Sequence, residues 1–216
     1  MITQLIWDAG GTLFDTYPAV VAACHAALSA TGADASPAWL LALFRRTTVD
    51  ALRVVAATYG IAEPVLTARF EEAYEATEPE LQPPFPFVRE VCSLVVDLGG
   101  RNFVVTHRGR ASLVRLLAAH RLSGYFTDCI SEDDPYPRKP DPASILMLMA
   151  RHALDPRTCL AVGDRELDIA AGAGAGIRTC FFGTDAHETP ADLEITRFDQ
   201  LLQWLGAQCP LEDAGV

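Results

Sequence analysis

Five side chains with chemically useful groups are scattered through the sequence, most of them directly after a short apolar run. Asp8 and Thr106 each follow such a run, Asp164 follows a third, and Asp168 comes four residues after Asp164. Lys139 lies in a proline-rich loop after another apolar run. A carboxylate can serve as a covalent nucleophile. Hydroxyl and ammonium groups can bind anionic oxygens, and an acidic pair can hold a hard metal ion such as Mg²⁺.

Lys139 is the single lysine of the chain, which has sixteen arginines. A general compositional bias toward arginine would produce this ratio without any function. Alternatively, the position requires a compact ammonium group, which can bridge a carboxylate and a phosphate oxygen as a point charge in a way that a planar guanidinium cannot. The sequence leaves both interpretations open.

An α/β core is predicted to position these side chains, because short apolar runs alternate with helical patterns. The predicted strands are Gln4 to Trp7, Asn102 to Val105, Thr127 to Ser131, Thr158 to Val162 and Arg178 to Phe182. Strands that alternate with helices indicate a doubly wound parallel sheet with helices on both faces. In such sheets the functional site forms beyond the carboxyl ends of the strands.

Residues 16–85 break this alternation and are predicted to form an inserted, all-helical cap domain, which leaves residues 1–15 and 86–216 as the α/β core. Ser36 and Pro37 are typical of an N-cap and the first helical position. Thr48 is expected to cap the next helix, and a further helix is expected around Leu66, Phe70 and Tyr74, whose spacing is helical. Pro79 to Pro86 contains four prolines and is predicted to be a linker.

The composition excludes several classes of function. The 216 residues include 17 Lys plus Arg and 28 Asp plus Glu, for a net charge of −11. We therefore expect neither a nucleic-acid partner nor an anionic membrane surface, since both need clustered positive charge.

The beginning of the sequence lacks the features of a signal peptide, and the six cysteines are widely spaced without a C-x-x-C pair. We expect a cytoplasmic protein with reduced cysteines, as a monomer or weak dimer.

Four segments together resemble the motifs of the haloacid dehalogenase (HAD) superfamily. They are residues 8–15 (DAGGTLFD), 104–106 (VVT), 138–141 (RKPD) and 162–168 (VGDRELD). Their order and spacing match that superfamily across nearly the whole chain, and the helical insertion lies where its members carry a small cap domain. The resemblance implies a HAD-like Rossmannoid core and a hydrolase, most similar to the phosphatase branch.

The resemblance also implies a role for each site residue. Asp8 would attack phosphorus and form an aspartyl phosphate, Thr106 would hydrogen-bond a phosphoryl oxygen, and Lys139 would steady the nucleophile and the transferring group. Asp164 would bind Mg²⁺ together with Asp8 and the main-chain carbonyl of Gly10. Asp168 would support the metal site through a bound water or through Lys139. The expected substrate is a small phosphorylated metabolite, which His107 and, from the cap, Arg45 could also contact.

Gly10 departs from the phosphatase pattern. Related phosphatases carry at this position an aspartate that protonates the leaving group and then activates water. The loss of a general acid costs on the order of 10²–10⁴-fold in rate. His107 could substitute for it, although a histidine at a strand end more often has a structural role.

Gly10 keeps two other functions open. Residues 8–15 also resemble the 2-haloacid dehalogenases, which need no second aspartate, but the acidic side chain of Asp164 favours a metal site over that activity. Alternatively, the chain is a degenerate member of the superfamily that binds a phosphorylated metabolite or a partner without turnover.

Overall fold

A computed structural model describes residues 1–183 and 190–208 of the chain. The chain divides into two compact units, one formed by residues 1–14 together with the described part of 84–216, and the other by Asp15–Pro83. Cys209 lies outside the described residues; the other five cysteines are free thiols.

The first unit is built on a parallel sheet, as predicted. Its six strands are β1 (Gln4–Trp7), β2 (Arg101–Val105), β3 (Phe126–Ile130), β4 (Cys159–Gly163), β5 (Arg178–Phe182) and β6 (Leu193–Ile195). Their order across the described sheet is β3-β2-β1-β4-β5-β6, and every neighbouring pair is parallel. The central strand β1 therefore lies between the two halves of the sheet, where the order of the strands reverses.

Helices cover both faces of this sheet, which confirms the doubly wound α/β class. They are α5 (Val88–Asp97), α6 (Arg110–Ala119), α7 (Ala143–Arg151), α8 (Glu166–Gly174) and α9 (Phe198–Gly206). Leu5 and Trp7 pack in a core with α5, α6 and α9, whereas Ile6 packs in a second core with α7 and α8. This alternation follows from the period of two along a strand, which sends successive side chains to opposite faces.

Trp7 also links β1 to β2 through a hydrogen bond between side chains. Its indole N–H donates to Asn102 Oδ1 at 3.1 Å, and Asn102 Nδ2 donates to the carbonyl of Cys92 at 3.0 Å. Trp7 and Asn102 are both completely buried. Because buried polar groups are costly unless they are hydrogen-bonded, these contacts fix the position of the strand that precedes Asp8.

The second unit is entirely helical within its described residues. It contains α1 (Tyr17–Ser29), α2 (Pro37–Phe44), α3 (Thr48–Tyr59) and α4 (Glu63–Glu75), followed by a short 3₁₀ turn at Pro79–Leu81. Its core includes Leu40, Phe44, Leu66 and Phe70, and the Phe44 and Phe70 rings stack at 5.5 Å. This core is formed by residues of the unit itself.

Several predicted boundaries were wrong by one residue, and one strand was missed. Thr47, not Thr48, is the N-cap of α3: its side chain accepts the N–H of Asp50 at 3.0 Å, and Thr48 is already helical. The predicted strands at 127–131 and 158–162 are displaced by one residue, to β3 and β4. The short strand β6 was not predicted. No helix of the described residues is both long and apolar enough to traverse a lipid bilayer.

Candidate active site

The parallel register brings the predicted site residues to one edge of the sheet. Trp7 at the end of β1 pairs with Val104 of β2 and with Val162 of β4. Asp8, Thr106 and Asp164 follow these three strands, so their side chains gather where the carboxyl ends of β1, β2 and β4 meet. The site therefore lies at the reversal of strand order, as expected for an open α/β sheet.

Asp8 is held in place by backbone and side-chain contacts. Its N–H donates to the carbonyl of Val162 at 2.9 Å, and Oδ1 accepts a hydrogen bond from Lys139 Nζ at 2.6 Å. The other oxygen, Oδ2, is buried and has no hydrogen-bond partner among the described residues. Burial opposes the charge of this carboxylate, but Lys139 and then Arg165 outweigh that effect and hold the pKa of Asp8 below its ordinary value. Asp8 is therefore an ionised carboxylate with one oxygen available.

Lys139 uses its ammonium group to join three parts of the site. Nζ donates to Asp8 Oδ1 at 2.6 Å, to Asp168 Oδ1 at 2.5 Å and to the carbonyl of Val105 at 2.9 Å. The side chain is buried, which disfavours its charge, yet the two carboxylates raise the pKa of Lys139 above its usual value. Three acceptors converge on one nitrogen, which matches an ammonium rather than the planar fork of arginine. This geometry favours the functional interpretation of the single lysine.

Asp168 faces Lys139 with one oxygen and the start of α8 with the other. Its Oδ2 accepts the N–H of Arg165 at 3.1 Å, which caps the helix. The approach is close: a Cβ at Gly163 would collide with the Cβ and Cγ of Asp168. Glycine at the end of β4 therefore makes room for this carboxylate. Of the two routes expected for Asp168, the hydrogen bonds favour the one through Lys139.

Asp164 completes a cluster of three carboxylates. Thr12 donates its hydroxyl to Asp164 Oδ1 at 3.0 Å and is itself completely buried. Oxygens of Asp8, Asp164 and Asp168 lie within 4.8 Å of one another. A group of carboxylate oxygens, including an unpartnered buried one on Asp8, fits the hard oxygen ligands that Mg²⁺ prefers. Sequence reasoning did not assign the contact between Thr12 and Asp164.

The two glycines after Asp8 have different backbone requirements. Gly11 has a φ of 86°, a left-handed conformation that favours glycine. Gly10 is not among the described residues with positive φ. The backbone therefore accounts for the glycine at 11 but does not demand one at 10.

Thr106 and His107 have distinct surroundings. Thr106 is buried, and its Oγ1 accepts the N–H of Arg108 at 3.1 Å, which leaves the hydroxyl proton to be donated elsewhere. His107 Nε2 accepts the N–H of Lys139 at 2.9 Å, so its ring proton is assigned to Nδ1. Burial, followed by the charges of Lys139 and Arg138, lowers the pKa of His107 to about 3. Because its ring is neutral and accepts a backbone hydrogen bond, His107 does not suit the role of the substitute acid.

Arg165 is a further charged residue of the site that the sequence analysis did not select. Its Nη2 lies 3.9 Å from Asp8 Oδ2, and only 15% of the side chain is exposed. Its location inside the motif of residues 162–168 was the available signal. Arg45 follows α2 in the helical unit and is exposed; its predicted contact with substrate stays a prediction.

Comparison with known proteins gives a consistent family. A family model for haloacid dehalogenase-like hydrolases matches residues 5–182. A plasmid-encoded phosphoglycolate phosphatase of Cupriavidus necator is 32% identical over 188 residues, which cover 82% of this chain and 79% of that protein. The phosphoglycolate phosphatase of Pectobacterium atrosepticum is 27% identical over 217 residues, covering 95% of this chain and 93% of its own length.

Solved structures share the fold. A hydrolase from Streptococcus pneumoniae is 26% identical with a TM-score of 0.65, over 95% of this chain and 98% of that one. A predicted phosphoglycolate phosphatase from Haemophilus somnus superposes with a TM-score of 0.84 at 19% identity, over 94% of this chain and 98% of that one. At that identity the second likeness concerns the fold alone.

Proposed function

We propose that this chain, which belongs to the haloacid dehalogenase-like hydrolase family and is a phosphatase-like enzyme, hydrolyses a small phosphorylated metabolite with the help of Mg²⁺. The observation that carries the proposal is the buried ion-pair network in which Lys139 bridges Asp8 and Asp168. It holds an ionised carboxylate at a strand end, next to a second carboxylate, Asp164, that suits a metal. The relatives named phosphoglycolate phosphatase make a small phosphate monoester with a carboxylate a suitable first substrate to test.

The first chemical step is an attack by Asp8 on phosphorus. A carboxylate oxygen forms the new P–O bond while the bond to the ester oxygen breaks and its electron pair stays on that oxygen. Lys139 keeps Asp8 charged and oriented through the hydrogen bond to Oδ1. The Thr106 hydroxyl donates to a phosphoryl oxygen. Because Gly10 offers no acid, the ester oxygen takes its proton from water.

The second step returns the enzyme to its starting state. Water attacks the phosphorus of the aspartyl phosphate, the bond between phosphorus and Asp8 breaks, and the electron pair returns to the carboxylate. Inorganic phosphate leaves, and the surplus proton goes to solvent. Asp8, Asp164 and the Gly10 carbonyl would hold Mg²⁺, which when bound supplies positive charge to the phosphoryl oxygens. Without a general base at position 10, we expect this step to be slow and the phosphorylated form of Asp8 to accumulate.

The test is a panel of aryl, acyl and alkyl phosphates, including phosphoglycolate, assayed with Mg²⁺ and with EDTA. We expect phosphate release that requires the metal and is lost in Asp8→Asn, together with a mass increase of one phosphoryl group on denatured wild-type protein. Asp97→Asn, which changes an exposed aspartate of α5 in the same way, is the matched control and should keep full activity.

Two other outcomes would replace the proposal. 2-Haloacids belong in the same panel, since halide release in the presence of EDTA would establish the dehalogenase alternative. If neither phosphate nor halide is released by a folded protein, the chain is a binding protein of the family rather than a working hydrolase.

A further inference from the structure

Lys139 is held at both ends by one short segment, which consists of the last residue of β2 and the two residues after it. Its side-chain Nζ donates to the carbonyl of Val105 at 2.9 Å, and its main-chain N–H donates to Nε2 of His107 at 2.9 Å. Thr106, which is predicted to bind a phosphoryl oxygen, lies between these two acceptors in the chain. Three consecutive residues therefore determine where the Thr106 hydroxyl and the Lys139 ammonium group lie.

The loop around Lys139 is exposed on both sides of that residue. Pro137 and Pro140 are exposed, whereas Lys139 between them is buried. Neither proline has an N–H to donate, so this stretch has few backbone donors with which to fix itself. The buried N–H of Lys139 needs an acceptor, and the ring of His107 supplies one from a distant part of the chain.

The ring of His107 is in the state that this contact requires. An imidazole accepts a hydrogen bond only at a nitrogen without a proton, so Nε2 is bare and Nδ1 carries the proton of the neutral ring. Burial, followed by the charges of Lys139 and Arg138, lowers the pKa of His107 to about 3, so the ring is neutral at ordinary pH. The main-chain carbonyl of His107 also accepts a hydrogen bond, from Arg138 Nη2 at 3.3 Å. Both the side chain and the main chain of this histidine thus contact the loop of Lys139.

From this geometry we propose that His107 is a positioning residue, whose ring nitrogen fixes the main chain of Lys139 and thereby directs the ammonium group toward Asp8. The inference rests on the proposed function, because the group that His107 directs is the one that steadies the nucleophile. The role needs an acceptor at the place of Nε2 and no proton transfer. The amide oxygen of glutamine lies as many bonds from Cβ as Nε2 does and can replace it, whereas leucine offers no acceptor.

The single lysine makes this contact directly measurable by NMR. Protein labelled with ¹⁵N-lysine and ¹⁵N-histidine gives one lysine amide signal and one ammonium signal, both from Lys139. In wild type we expect a scalar coupling across the hydrogen bond, between the amide nitrogen of Lys139 and Nε2 of His107. In His107→Leu the amide should exchange faster with solvent and the ammonium signal should shift. His107→Gln should keep both signals close to those of wild type.

Kinetics with one aryl phosphate and Mg²⁺ test whether the contact serves catalysis. The kcat of His107→Leu should fall by up to about 10²-fold, the effect of misplacing a catalytic group by about 1 Å, while KM stays near the wild-type value. His107→Gln should recover most of the lost kcat. His25→Leu is the matched control, because it replaces a histidine of the helical unit whose side chain is 45% exposed, and it should keep both parameters.

The outcomes separate this inference from the proposed function. Unchanged amide exchange and an unchanged ammonium signal in His107→Leu would overturn the role of His107, even if wild type is an active phosphatase. Wild-type kcat in His107→Leu, or equal losses in folded Leu and Gln variants, would overturn it as well. If wild type releases phosphate from no ester, the proposed function fails, and the two Lys139 signals alone decide whether His107 positions this lysine. Thermal unfolding confirms that each variant is folded, and His107→Phe serves as the variant without an acceptor if leucine is not accepted there.

Discussion

At the level of single residues, individual side chains of the site each make several contacts that matter. Lys139 satisfies two carboxylates and a carbonyl with one nitrogen, and Asp168 both orients that lysine and caps α8. A neutral substitution of Lys139 would leave two buried carboxylates without the ammonium group that pairs with both, and breaking a buried ion pair typically costs about 3–5 kcal/mol. The pairing of Lys139 with Asp8 and Asp168 is thus required for folding as well as for chemistry at this site.

Gly10 is the position at which a substitution can supply a general acid to the site. Gly10→Asp should raise turnover of an alkyl phosphate on the order of 10²-fold, because it restores a general acid where the backbone has no positive φ. The gain on an aryl phosphate should be smaller in the first step, since that leaving group needs little protonation. Steady-state kinetics on one substrate of each kind measures both effects.

Gly11→Asp is the matched control for Gly10→Asp. It introduces the same side chain one residue further on, where φ is 86°, and should strain the loop and reduce activity. An unchanged loop in Gly10→Asp with bound Mg²⁺ but no gain on either substrate would contradict the phosphatase interpretation.

His107 should make stability depend on pH. Its pKa is lowered to about 3 in the folded protein, against an ordinary value of 6.5, so below pH 6.5 the unfolded chain binds a proton that the folded chain does not. The contribution of the neutral ring is therefore fully present above pH 6.5 and is lost progressively as pH falls toward 3. We expect the Tm of wild type to fall more steeply between pH 6.5 and 4.5 than that of His107→Gln.

Other titrating groups must be separated from His107 as the cause of this fall in Tm. The Asp8 carboxylate also favours the folded state only when ionised, but its pKa is lowered from 3.8, so its loss begins at a lower pH. His25→Gln, which changes an exposed histidine of the helical unit, is the control and should leave the slope unchanged. Parallel profiles of wild type and His107→Gln would show that the ring is not buried in its neutral form.

The site residues that are easiest to predict from the sequence are those that both follow a strand and belong to a motif. Asp8, Thr106 and Asp164 share this property, and their convergence follows from parallel register alone. Thr12 and Arg165 lie inside two of the motifs but were not assigned, because their contacts with Asp164 and with Asp8 cross the chain and no local pattern encodes those distances. The neutral state of His107 likewise depends on burial and on charges that come from other segments.

At the level of elements, close packing between α8 and the sheet sets the position of Asp168. A Cβ at Gly172 would lie 2.7 Å from Thr179 Cγ2 and 2.8 Å from Ala161 Cβ. We expect Gly172→Ala to lower the free energy of unfolding by about 1–3 kcal/mol, the usual cost of overpacking. Chemical denaturation measures this value.

Gly206→Ala is the matched control for this prediction. Gly206 ends α9, and a Cβ there meets no atom within 4 Å. The same substitution should therefore be neutral or stabilising by about 0.5–1 kcal/mol, because alanine favours the helix. Equal effects at both positions would mean that helix propensity, rather than the contact with β4 and β5, decides the result.

The strands that could be predicted from the sequence are those with a clear apolar pattern. The first five strands are four or five residues long and mostly apolar, so they stood out between helical segments. β6 has three residues, with an exposed glutamate in the middle, and gains its strand character from pairing with β5. The cap of α3 was displaced by one position because Thr47 and Thr48 are equivalent in sequence, and only the hydrogen bond from Asp50 distinguishes them.

At the level of the whole molecule, the acidic balance affects how a metal site can be tested. The chain has a net charge of −11, so removing any carboxylate relieves some repulsion and can raise stability without involving the site. A metal-site variant therefore needs a control that removes one negative charge at an exposed position. Glu166→Gln meets this requirement two residues from Asp164.

Mg²⁺ should stabilise the folded protein through Asp164. A ligand present at 100 times its Kd adds about 2.7 kcal/mol to the free energy of unfolding, which corresponds to several degrees of Tm for a chain of this size. We expect this shift in wild type and in Glu166→Gln, its reversal by EDTA, and its loss in Asp164→Asn, whose amide cannot supply a charged oxygen. Differential scanning calorimetry at several Mg²⁺ concentrations measures it. A shift of equal size in Asp164→Asn would locate the ion outside the cluster of Asp8, Asp164 and Asp168 and would remove the metal from the proposed reaction.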